Sequence, residues 1–201
     1  MIAKNTLTLM SLWLYFILFG ITYGQRNIII KVGSEPFNLN SNYLINGVDS
    51  IRIDLFKFYI GNQRGDYQLV DASDVDTYQL PFDDKFLIIG MDSVTNTSGK
   101  LDGVFDPLLG MYWAWNTGYI QLKIKGNCYS QGFNSSFDYH IGGYQVPYLT
   151  YKVVKVQSNN APLTIDLKHF FSVLPIYSTP KIMLPGPIAQ EIFYNFTSSF
   201  K

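Results

Sequence analysis

The chain has one cysteine, Cys128, so no intrachain disulfide is available. It has two histidines, His140 and His169. With a lone thiol, they exclude the Cys/His framework of a structural zinc site. Charge is scarce and balanced, with fifteen Lys and Arg against fifteen Asp and Glu. No basic cluster breaks that balance, which leaves nucleic acid without an electrostatic handle and an anionic membrane surface without a polybasic anchor. G-x-S-x-G, H-E-x-x-H and the phosphate loop G-x-x-x-x-G-K-[ST] are all missing. The reading is non-enzymatic; a hydrolase is unsupported, though not excluded.

The one long apolar run is N-terminal. Lys4 precedes "LTLMSLWLYFILFGI", and "TYG" follows before Gln25. A short apolar region after a positive residue, ending in small and polar residues, has the form of an export signal over residues 1–24. It is short for a span of about 20 residues and has no basic stop-transfer cluster. The expectation is an exported protein, periplasmic or extracellular, with no stable membrane span after cleavage. Residues 25–201 then form a single domain, a length that suits one core.

Aromatic residues are plentiful: fifteen Tyr, fifteen Phe and three Trp. Strand periodicity dominates. Ile51, Ile53 and Leu55 alternate with Arg52, Asp54 and Phe56; Ile120, Leu122 and Ile124 alternate with Gln121, Lys123 and Lys125. "FLIIGM" (86–91) is a continuous apolar run, suited to a strand covered on both sides. "NIIIKVG", "SFDYHIGG", "TYKVVKVQ" and "LTIDL" extend the series between Gly, Asn, Asp and Ser clusters. The pattern predicts an all-β, sandwich-like domain with long irregular loops. One short helix is expected near the end, with Pro187 in its first turn and Ile188, Ile192 and Phe196 on one face.

Two stretches could carry a site. In "GMYWAWNTGY", extended backbone would put Met111, Trp113 and Trp115 on one face, either as a pocket wall or as a core plug. The patternless segment from Asp92 to Gly110 leads directly into it, and a loop of that length is functional or disordered. In "FDYHIGGY", Phe137, Tyr139 and Ile141 form one face, and Asp138 and His140 the other. The Gly pair beyond them allows close approach. Imidazole is the commonest transition-metal ligand. His169 reads as ordinary surface. Asp71, Asp74, Asp76, Asp92, Asn96, Asp102 and Asp106 offer oxygens for calcium, but the spacing is not that of an EF-hand. Turns and caps explain them more simply.

"FKFYIGN" (56–62), "YQLVDASD" (67–74), the stretch from Gly90 to Gly126, "FDYHIGGY" (137–144) and the closing "IAQEIFYNFTSSF" resemble the MbnP-like family. These are secreted bacterial copper-binding proteins, related to methanobactin-associated proteins and to MopE/CorA. The resemblance implies an all-β domain that holds copper through two histidines and kynurenine, an oxidised tryptophan. A dihaem enzyme of the cytochrome c peroxidase type would make that modification. Carried over, Trp113 or Trp115 is the candidate for oxidation and His140 the imidazole ligand, with Met111 an additional sulfur. The family's second histidine is expected two residues after the modified tryptophan, where this chain has Trp115. The alternative, from a different class, is a secreted structural or interaction module whose aromatic pocket binds a protein or glycan.

Overall fold

The computed structural model describes residues 24–47, 49–113, 118–157 and 161–201; the expected export signal, through Tyr23, lies outside them. In chain order the first strands are β1 (Arg26–Val32), β2 (Glu35–Pro36), β3 (Asn42–Leu44), β4 (Ser50–Asn62), β5 (Tyr67–Asp71), β6 (Gln79–Leu80) and β7 (Phe86–Gly90). After them come β8 (Tyr112–Trp113), β9 (Gly118–Tyr119), β10 (Leu122–Ser130), β11 (Phe133–Ile141), β12 (Tyr151–Lys155), β13 (Leu163–Asp166) and β14 (Lys181–Ile182). The α-helices are α1 (Ser93–Asn96), α2 (Lys168–Ser172) and α3 (Pro187–Thr197).

The larger sheet runs β12-β7-β4-β10-β11-β14, with β3 and β5 also on β4. A second sheet gathers β13, β2 and β6 on β1. The alternation visible in the sequence is the cause of this layering. On β1, Ile28, Ile30 and Val32 point into the core while Ile29 is exposed. On β4, Phe56, Phe58 and Ile60 join the same core, as do Leu122 and Ile124 of β10 and Tyr139 and Ile141 of β11. Burying one such side chain contributes about 1.5–3 kcal/mol. The register of β4 against β10 slips between Lys125 and Gly126. A Cβ on Gly126 would stand 2.2 Å from the Arg52 carbonyl oxygen, so only glycine fits this bulge.

Helix α3 closes the core. Pro187 fills its first turn, as expected, but the buried face is Ala189, Ile192, Phe193 and Phe196. Ile188 is 44% exposed and does not belong to it. Ile192 and Phe196 are buried as the spacing predicts, while Ala189 takes the buried place given to Ile188. Phe196 meets Phe56, Phe58, Phe170 and Phe200. The five-residue α2, carrying Phe170 and Phe171 into the core, has no periodic signal in the sequence. No described helix is long and apolar enough to cross a membrane.

Candidate functional site

The larger sheet has a second apolar cluster on its other face. Tyr59 of β4 points away from Phe58 and Ile60 and joins Tyr67, Leu69, Ile88, Met91, Phe105, Met111, Trp113, Tyr119 and Ile120. This cluster lies beneath the segment between β7 and β8. That segment is patternless but built: α1 is followed by single 3-10 turns at Gly103–Phe105 and Pro107–Leu109. The Asp92 carboxylate accepts from Thr95 N at 2.9 Å, and Asp106 from Leu108 N at 2.8 Å. Each caps a turn.

Tyrosine hydroxyls hold the segment down. Tyr59 donates to the Val104 carbonyl at 2.9 Å, Tyr67 to Asp92 Oδ2 at 2.5 Å, and Tyr119 to the carbonyls of Lys100 and Phe105. Burial pushes the Tyr119 phenol up to about 12 and raises Tyr59 and Tyr67 further, so all three remain donors at neutral pH. Lys123 Nζ donates to the Gly110 carbonyl at 2.8 Å from the strand below. Gly110 adopts φ 74°, the left-handed turn that starts the tryptophan stretch.

Trp113 pairs with Gly118 across the β8–β9 ribbon, and its side chain is buried. The indole lies against Gly142, just past the end of β11. A Cβ there would stand 2.8 Å from the indole Cζ3 and 2.6 Å from the Tyr119 carbonyl oxygen. Gly142 follows His140 by two residues. Of the residues expected in the site, Trp113 therefore packs on the chain two residues beyond the imidazole. Met111 is fully buried in the Trp113 cluster. Trp115 lies outside the described residues.

His140 leans away from the indole, toward Asp138, with Nε2 3.2 Å from Asp138 Oδ1. Burial first, and then the positive charge of Lys123, hold its imidazole below the ordinary histidine range, against the pull of Asp138. A neutral imidazole retains a lone pair for a metal. Among the described residues, no three His, Cys, Asp or Glu side chains gather closely enough to hold a metal ion. The donor set on this stretch of β11 is one imidazole and one carboxylate. It fits copper only with a further donor, which an oxidised indole would supply.

His169 does not join this site. It is exposed on α2, in a separate cleft of about 660 Å³ with Lys168, Ser172 and Lys201. The loop acids have local partners: Asp71 pairs with Lys57 at 2.7 Å, and Asp74 accepts from Asp76 N. Cys128 is buried, 3.3 Å from the Tyr177 hydroxyl. Two polar residues at the site escaped the sequence reading. Gln121 is fully buried where alternation suggested an outward face, and Asn96 is buried rather than a loop oxygen. Nothing in their spacing distinguishes them.

Comparison with known proteins gives one finding: the family model for MbnP matches residues 27–184. No curated protein and no solved structure matches the chain significantly.

Proposed function

The chain belongs to the MbnP family, and on that premise we propose that it is an exported, non-enzymatic metal-binding protein whose metal is copper. His140 is the imidazole ligand. Trp113, oxidised to kynurenine, is the second donor, and the Met111 sulfur, fully buried in the same cluster, supplies packing or a weak axial contact. The observation that carries this reading is the indole packed at Gly142, two residues along the chain from a half-buried imidazole that burial holds below the ordinary histidine range. Neutral nitrogen donors suit copper.

The oxidation balances with peroxide, the substrate of a dihaem peroxidase partner. Two equivalents cleave the indole C2–C3 bond, placing one oxygen on each carbon and releasing two waters. Hydrolysis then removes C2 as formate, leaving an aryl ketone and an aryl amine. The side chain gains one oxygen and loses one carbon, which an intact mass of natively produced protein reads directly. Equilibrium copper titration of that protein beside His140→Ala and Trp113→Phe is the functional test. Each variant is expected to bind on the order of tenfold more weakly or worse. Equal binding by all three overturns the site.

A second reading, an interaction module, has one observation in its favour. Val94, Leu101 and Leu108 of the covering segment are exposed, Leu108 to 91%. Apolar side chains grouped on one segment suit a protein partner. Retention of partner binding by His140→Ala, with no copper uptake, would favour it.

A further inference from the structure

Basic residues that lie apart in the sequence are brought together on the outer face of the larger sheet. Register sets Lys57 of β4, Lys123 of β10 and His140 of β11 directly across from one another. One pleat along, Lys125 and Lys181 stand on either side of Asp138. Paired residues point to one face, and this is the face opposite the core residues Phe58, Ile124, Tyr139 and Ile182. The charges act on one another. Burial holds the Lys123 ammonium below the usual lysine range; Asp138 opposes that, and Lys57 and Lys125 add to it. Lys181 joins burial and Lys123 in lowering His140.

Like charges directly opposite each other destabilise a sheet, so the arrangement calls for a reason. Lys57 and Lys123 have one. Their ammonium groups donate to the carbonyls of Leu109 and Gly110, at 3.4 and 2.8 Å, and Lys57 also pairs with Asp71. Lys125 and Lys181 have none. Both are exposed, and among the described residues neither side chain has a hydrogen bond or an ion pair within 4 Å. The carboxylate between them, Asp138, lies 3.2 Å from His140. The two tethers also fix what borders the face. They bring the last turn of the covering segment to its edge, where Leu108 is 91% exposed and Leu109 38%.

We propose that this face docks a partner protein that surrounds an apolar contact with carboxylates. The carboxylates pair with Lys125 and Lys181, and the apolar contact covers Leu108 and Leu109. Complementary charge is what the face lacks from within its own chain. A membrane fits less well. Attraction to anionic lipid grows with the number of lysines free to reach it, and two of these four are tied back. A small anion would leave both leucines in water. The proposal rests on the interaction reading above, to which it adds the partner's charge and the place where it binds. It holds whether or not His140 carries a metal.

The probe is a glutamate-rich peptide with a leucine pair at its centre, labelled for fluorescence anisotropy and titrated with the protein. Binding is expected at low salt and should weaken as salt rises. Lys125→Glu with Lys181→Glu should weaken it about tenfold or more. Lys85→Glu with Lys155→Glu, exposed lysines at the β12 edge, should leave it unchanged. Leu108→Ser should weaken it as well. Thermal melting checks each fold, and Lys125→Gln with Lys181→Gln repeats the measurement should the reversal disturb it. No binding of the peptide at low salt, or equal loss in both double variants, overturns the proposal. So does equally tight, lysine-dependent binding of heparin, or of vesicles made from equal parts phosphatidylglycerol and phosphatidylcholine. If Leu108→Ser alone weakens binding, the interaction reading stands and the acidic partner falls. If no variant does, both fall.

Discussion

Gly142 is the residue at which packing and site meet. A methyl group there would press on both the indole and the Tyr119 carbonyl, so Gly142→Ala forces the Trp113 indole out of its place. The expected cost is about 1–3 kcal/mol, together with a change in tryptophan emission, read by urea unfolding followed by fluorescence. Gly186→Ala is the control, since a Cβ there meets nothing within 4 Å. His140 is read through pH. Its folded-state imidazole sits below the ordinary histidine value, so as pH falls the unfolded chain takes up the proton first. The stability it contributes is complete above about 6.5 and is lost as pH drops through the lower folded value. His140→Gln is expected to flatten that fall, which urea unfolding at a series of pH values between neutral and acid measures. Strand parity in the sequence placed His140 opposite Phe137, Tyr139 and Ile141, and the structure agrees. Parity could not show that Gln121 is buried, because it lies just before β10 where alternation breaks: Ile120 joins one apolar cluster and Leu122 the other.

At the scale of elements, the segment from Asp92 to Gly110 is ordered by side chains outside it. Tyr67→Phe removes the hydroxyl that meets Asp92 and is expected to cost about 1–2 kcal/mol. Hydrogen exchange across residues 92–110 should quicken while that of β10 holds. Burial works to raise the Asp92 carboxyl, but bonds from Tyr67 and Thr95 outweigh it and hold the group below the usual aspartate value. Its contribution is therefore present above about 3.9 and disappears as pH falls through the lowered value. Tyr67→Phe should weaken that acid dependence. Hydroxyl-to-carbonyl bonds have no period, so the sequence showed the segment only as a gap between strands. Helix α3 was legible by contrast, down to Pro187, though Ile188 was given a buried place that Ala189 takes. Phe196→Ala should cost about 3–5 kcal/mol, and Ile188→Ala under about 0.5 kcal/mol; thermal melting of both variants would fix the phase of the helix.

Over the whole molecule, two apolar clusters lie on opposite faces of one sheet, and they share no buried residue. Strand β4 supplies both, with Phe56, Phe58 and Ile60 to one side and Tyr59 to the other. A thirteen-residue strand thus acts as a partition, and its alternation assigns each substitution to one compartment. The consequence concerns how such a protein diversifies. Chemistry at the indole can be rewritten, a histidine exchanged for a tryptophan or an amide for a methyl, while the phenylalanine packing that folds the chain stays untouched. Inheritance of the scaffold and inheritance of the ligand set are separable here, because a single pleated strand keeps them on different sides.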